Sequence, residues 1–125
     1  MHLIIGGAYQ GKLDHARKAL GVKEDEIYSC TGDGGIDFSF RCVNAVEEFV
    51  LGCVRRGDDA AEIFKAHRSE WEDSVLICRD IFCGVVPMGA EMRAWREATG
   101  RLCAFLASEA ETVTRMFCGI DERLK

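Results

Sequence analysis

Gly6, Gly7, Gly11 and Lys12 stand at a spacing that can do chemistry, in the run Leu3-Ile4-Ile5-Gly6-Gly7-Ala8-Tyr9-Gln10-Gly11-Lys12-Leu13. Three apolar, largely β-branched residues lead into a glycine-rich turn, and a Lys opens a helical pattern in which Leu13, Ala16 and Leu20 share a face. Strand, loop and helix in that order are the setting in which G-x-x-x-x-G-K binds phosphate. Glycines reach backbone angles closed to other residues, so successive N–H groups converge on one anion. The helix start adds its positive dipole end, and the Lys amine reaches the outer phosphates. Gly6, Gly7, Ala8, Tyr9, Gln10, Gly11, Lys12 and Leu13 are therefore the candidate nucleotide-binding positions, with Lys12 also a candidate catalytic group. Leu13 stands where this motif has a Ser or Thr to coordinate Mg²⁺. The cradle is present and the metal hook is not. A tight strand-to-helix turn with a solvated Lys is the other reading of the same residues.

Asp80 is the internal carboxylate best placed to join such a site. It follows the apolar run Ser74-Val75-Leu76-Ile77-Cys78 and Arg79. A carboxylate just past the C-terminal end of a parallel strand faces the same sheet edge as the loop, so Asp80 is the candidate metal-facing acid, against an ordinary surface Asp. Asp33 and Asp37 are close in sequence, but spacing alone does not make them ligands. His67 falls near a helix end, where a capping or solvated role is expected. Cys30, Cys42, Cys53, Cys78, Cys83, Cys103 and Cys118 form no C-x-x-C, and most lie in apolar periodic stretches. They read as free, mostly buried thiols of a reducing cytoplasm rather than zinc ligands.

The elements that must position these groups follow from periodicity. Residues 3–5 read as a strand and residues 27–30 as a short second one. Residues 31–35, with three glycines, read as a loop, either flexible or lining a ligand. Val43, Val46, Phe49, Val50, Cys53 and Val54 recur at helical spacing, with Glu47, Glu48, Arg55 and Arg56 on the other face and Gly57 as the stop. Asp58 is the expected N-cap of a further helix through Ala61, Phe64 and His67. A buried strand over residues 75–78 precedes the apolar excursion of residues 82–87, read as a buried crossover or a subunit contact. A long helix then carries Met92, Trp95, Leu102, Phe105 and Leu106, with Gly100 suggesting close backbone packing. Residues 112–118 alternate like a half-covered strand, Gly119 turns it, and residues 121–125 form a polar tail or edge strand. The order predicts one α/β domain over residues 1–125, with a mostly parallel sheet and residues 3–5 central beside residues 75–78.

A chain of 125 residues can bury roughly two thirds of its unfolded surface in one core. Its net charge of −5 argues against a nucleic-acid partner. Its apolar runs are too short to span a membrane. No signal peptide is visible, and a cytoplasmic location is expected.

The C-terminal third adds a resemblance. Gly84-Val85-Val86-Pro87, Trp95-Arg96-Glu97-Ala98-Thr99-Gly100-Arg101-Leu102, and Phe117-Cys118-Gly119-Ile120 through Leu124-Lys125 resemble the adenosylcobinamide kinase / adenosylcobinamide-phosphate guanylyltransferase family of cobalamin biosynthesis. That family carries N-E-V-G-x-G-I-V-P, a helix with F-R-D-x-A-G-R-V-N, and a terminal strand. Its opening G-G-A-R-S-G-K-S is similar to residues 6–13, so the likeness covers the first 20 residues and residues 75–125, in the right order. The resemblance implies a P-loop-type three-layer domain and a homotrimer. It implies a kinase that phosphorylates the adenosylcobinamide hydroxyl from ATP or GTP with Mg²⁺, so that the partners are a purine nucleotide and a corrinoid. Gly6, Gly7, Gly11 and Lys12 would hold phosphates, and Asp80 falls where the family has Glu. Leu13 replaces the Mg²⁺-binding Ser, Arg79 replaces Asn, and Phe82 replaces the first Gly of that motif. The guanylyl-accepting H-x-x-x-R-P is missing, since His67-Arg68 lacks the Pro. The D-C-L-T strand has no clear counterpart. These departures leave a kinase reading, no guanylyl acceptor, and the alternative of a nucleotide-binding or assembly protein that kept the fold without the chemistry.

Overall fold

The structure is a computed structural model that describes residues 1–84 and 88–125. Strand β1 (His2–Gly6) is apolar on both faces because both are covered: Leu3 packs into one buried cluster and Ile4 into another. It lies parallel to β4 (Val75–Arg79) on one side and to β5 (Thr112–Phe117) on the other. Strands β2 (Ile27–Ser29) and β3 (Cys42–Asn44) continue the sheet beyond β4, also parallel. The hairpin strand β6 (Ile120–Arg123) closes the other edge antiparallel to β5. The order is β2-β3-β4-β1-β5-β6. The expected parallel pairing of residues 3–5 with residues 75–78 holds, with Leu3 opposite Leu76 and Ile4 opposite Ile77.

Helices cover both faces, which makes a P-loop-like three-layer α/β domain. Helix α1 (Lys12–Leu20) covers one face with Leu13, Ala16 and Leu20. The opposite face carries α2 (Val46–Arg56), α3 (Ala60–Ala66), the single turn α4 (Arg68–Trp71) and the long α5 (Ala90–Glu109). Phe49, Phe64, Trp71, Leu102 and Leu106 are fully buried there. Phe64 is ringed by Phe38, Phe49 and Trp71, at centroid distances of 5.1, 5.9 and 5.9 Å.

Several local expectations need correction. Val43 belongs to β3, because Ala45, at φ +58°, separates the strand from α2. Glu47 is therefore in the first turn of α2, and it is buried rather than on a solvent face. Gly57 does end α2, with its own N–H and that of Asp58 returning to the last turn. The cap of α3 is Asp59, whose carboxylate accepts from the N–H groups of Ala61 and Glu62, while Asp58 pairs with Arg56 at 3.2 Å. His67 ends α3 and does not extend it. Gly100 meets only the Phe82 side chain at an ordinary 3.6 Å, so no close backbone approach requires it. The excursion of residues 82–87 falls partly on residues 85–87, outside the described residues.

Candidate functional site

Parallel pairing decides where the chemistry gathers. Gly6 is in register with both Arg79 and Met116, so the C-terminal ends of β1, β4 and β5 lie on one edge of the sheet. β3 ends on the same edge, since Val43 pairs with Leu76. A crevice outside the carboxyl ends of parallel strands is where open α/β sheets bind ligands. Here that edge holds a cavity of about 550 Å³, within the usual range for small-molecule sites. Residues 8–14 line one side of it, and Asn44, Ala45, Glu47 and Arg79 line the other.

The loop is held in shape from below and behind. A Cβ on Gly6 would stand 2.6 Å from the Met116 carbonyl oxygen, so only Gly lets β1 and β5 run this close at the turn. Gly11 caps α1 at φ +95°, and no side chain caps that helix start. The first-turn N–H groups of α1 are thus left for a ligand or water. The β5–β6 turn braces the crest. Cys118 and Gly119 both have positive φ, as a two-residue hairpin turn requires. The Cys118 N–H donates to the Gln10 side-chain oxygen, and the Gly119 N–H donates to the Gln10 carbonyl at 3.1 Å. Tyr9 sits at φ +59° with its ring fully exposed.

Lys12 opens α1, and its amine donates to the Gly7 carbonyl at 2.5 Å. Burial lowers its pKa below the usual lysine value, and the Glu47 and Asp80 carboxylates oppose that shift. Asp80 stands beside the loop: its N–H donates to the Gly6 carbonyl at 3.1 Å, and a Cβ on Gly7 would lie 3.9 Å from its carboxylate oxygen. Leu13 turns into the apolar cluster under α1, so the position that a hydroxyl would occupy beside the phosphates is used for packing.

Glu47, Asn44 and Arg79 are the site residues that sequence reasoning did not assign. Glu47 accepts the Arg79 N–H at 2.9 Å through its side chain and the Trp95 indole N–H at 2.7 Å through its carbonyl. The signal for it was Cys42-Val43-Asn44 read as a strand, which would have placed Glu47 at a helix start on the loop's edge of the sheet. Glu47 and Asp80 bring hard oxygen donors to the Lys12 amine, a set suited to Mg²⁺. Among the described residues no group of three or more His, Cys, Asp or Glu gathers as for a metal ion, so any ion held here would take its remaining ligands from phosphate and water. His67 lies outside this arrangement. It bonds to Glu70, stacks on Phe38 at 5.5 Å, and belongs to the helices leading into the N-terminal end of β4.

Residues 48–124 match the family model described as cobinamide kinase / cobinamide phosphate guanyltransferase. The chain belongs to that family. The match runs from α2 through β6 and includes Arg79 and Asp80, while the loop of residues 6–13 precedes it. No curated protein matches the chain in a sequence search. Family membership brings a cobinamide kinase/guanylyltransferase-like role in cobalamin biosynthesis, a nucleotide-using transferase chemistry. Among the described residues no helix is long and apolar enough to cross a membrane.

Proposed function

We propose that this protein is a nucleotide-binding phosphotransferase of the cobinamide-kinase type, which moves the γ-phosphoryl group of ATP or GTP to the hydroxyl of adenosylcobinamide. The observation that carries this reading is the Lys12 amine in a cavity at the carboxyl edge of a parallel sheet, below an uncapped helix start and beside Glu47 and Asp80. Phosphoryl transfer asks a protein for positioning and for charge stabilisation more than for covalent chemistry. The loop N–H groups of residues 7–12 would hold the phosphates. Lys12 would exchange the Gly7 carbonyl for an outer phosphate oxygen and neutralise charge developing there. Asp80 and Glu47 would hold Mg²⁺, which would supply further neutralisation of phosphate charge. The protein would act as a homotrimer in the cytoplasm.

A second reading is favoured by Leu13. Its side chain is committed to the core cluster, so the loop offers no hydroxyl to a metal ion. On that reading the protein binds a nucleotide, or takes part in an assembly, without turning substrate over. Incubation with ATP or GTP labelled at the γ position, Mg²⁺ and adenosylcobinamide separates the two. Labelled cobinamide phosphate supports the kinase. Saturable nucleotide binding with no transfer supports the second reading, and absence of both removes the nucleotide site altogether.

A further inference from the structure

Arg79 is placed like a ligand contact, and among the described residues its guanidinium has no hydrogen-bond or ion-pair partner. It pairs with Gly6 at the end of β4, which sets it level with the glycine-rich loop and across the cavity from it. Its guanidinium centre lies 5.9 Å from the Trp95 ring centroid. That ring is itself pinned, because the Trp95 indole N–H donates to the Glu47 carbonyl at 2.7 Å. The Arg79 N–H donates to the Glu47 carboxylate at 2.9 Å, so backbone and side chain are each fixed by a separate contact. An arginine laid on an aromatic face keeps its planar fork of donors free for a second partner.

The other arginines make a contrast. Arg17, Arg41, Arg55, Arg56, Arg68 and Arg101 each pair with a carboxylate, and Arg93, Arg96 and Arg123 donate to main-chain carbonyls. Arg115, on β5 and outside the cavity lining, is the other arginine without such a partner among the described residues. Among the described residues no carboxylate pairs with Arg79, although Glu47 is its neighbour. Glu47 has turned its oxygen to the Arg79 backbone. The guanidinium therefore shares the cavity with Lys12, and two cations on facing walls repel each other until an anion lies between them. A polyphosphate is such an anion, and a flat guanidinium matches two of its oxygens at once.

We propose that Arg79, laid on the Trp95 ring, is a second phosphate-binding group of this cavity and takes the outer phosphate of a nucleotide or of inorganic polyphosphate opposite the loop. The inference rests on the nucleotide-site reading above and adds to it the residue that substitutes cationic charge where Leu13 withholds a metal ligand.

Calorimetric titration of the full chain with ATP, GTP and inorganic tripolyphosphate, with Mg²⁺ and with EDTA, tests it. The variants are Arg79→Lys and Arg79→Gln, the second keeping a stem on Trp95 without charge, with Lys12→Ala as reference and apo melting temperatures for all. Arg79→Gln should weaken each triphosphate about tenfold or more, most in EDTA, with an apo melting temperature close to that of the parent. Arg79→Lys should recover part of the loss. Equal loss for tripolyphosphate and nucleotides assigns Arg79 to phosphate. A loss confined to ATP or GTP would overturn that assignment. Unchanged affinity in Arg79→Gln, with binding lost in Lys12→Ala, would overturn the inference and leave the nucleotide site standing. A lowered melting temperature with unchanged affinity would show a packing role and also overturn it. A parent chain that binds no triphosphate removes both readings together.

Discussion

Lys12 and Leu13 are neighbours with opposite commitments. The Lys12 amine stays among polar groups at the cavity, where one charge-assisted contact to a phosphate is worth about 1.5–3 kcal/mol. Lys12→Ala should therefore lower nucleotide affinity tenfold or more in calorimetry. Burial lowers the Lys12 pKa, so anion affinity should begin to fall with rising pH before an ordinary lysine would lose its proton. A titration series between pH 7 and 11 reads this, and an affinity still constant at pH 11 would exclude Lys12 as the contact. Leu13 is half-buried against the cluster of Ile4 and Ala16. Leu13→Ser should cost about 1–2 kcal/mol of stability and raise Mg²⁺-dependent affinity for ATP or GTP. Loss of stability with no gain in metal dependence would mean that the loop does not hold phosphate in the P-loop manner.

At the scale of elements, two helical glycines separate packing from propensity. Gly52 lies in α2 under the loop of residues 31–35, and a Cβ there would stand 2.9 Å from the Gly32 carbonyl oxygen. Gly100 lies in α5 with its nearest neighbour at 3.6 Å. Ala is better than Gly in a helix by about 1 kcal/mol in either place. Gly52→Ala must also displace backbone, which costs about 2–3 kcal/mol and leaves a net loss of about 1–2 kcal/mol. Gly100→Ala has room and should gain about 0.5–1 kcal/mol. Thermal unfolding should thus move in opposite directions, by about 2–5 °C each. A gain in both would mean that the loop yields freely to α2.

For the whole molecule, the thiols report the fold. All seven cysteines are free, with Cys83 and Cys118 exposed and the other five buried. Burial pushes Cys30 up to about 12 and Cys42 up to about 11, against an ordinary value of 9.0. Iodoacetamide at pH 8 should label Cys83 and Cys118 quickly and the rest only on unfolding, as intact-mass analysis would show. The unfolded chain releases these two protons first, so stability should be full below pH 9 and fall towards pH 11–12. Lys12 opposes this, since its lowered pKa improves stability as pH rises to its ordinary 10.5, but it is one group against several raised thiols. The proposed homotrimer belongs to this scale too. Trp95 is tucked against the Glu47 carbonyl, and among the described residues the large exposed apolar side chains are Tyr9, Met88, Phe117, Ile120 and Leu124. Light scattering at micromolar concentration should return a trimeric mass. The same preparation incubated with labelled GTP should carry no adduct on His67, and an adduct lost in His67→Ala would reverse that assignment.

What the sequence determined by itself was local or periodic. The strand-glycine-lysine run named the loop, because its residues are contiguous and their conformational needs are written in their types. The long apolar runs named β1, β4 and the parallel sheet, and Gly57 named the end of α2, since burial on two faces and a left-handed cap both leave marks in a single stretch. Tertiary structure decided the rest. Three residues of β3 carry too little pattern to stand apart from the helix that follows, and Val43 fits helical spacing as well as it fits a strand. Once β3 pairs with β4, Glu47 moves from a solvent face to the cavity wall, and Arg79 gains a Trp95 shelf that lies 16 positions on in the chain. The hairpin turn at Gly119 reaches the loop in the same way, across the whole length of the chain. Such contacts arise from parallel register, which brings distant strand ends to one edge, and no periodicity within a segment records which ends will meet.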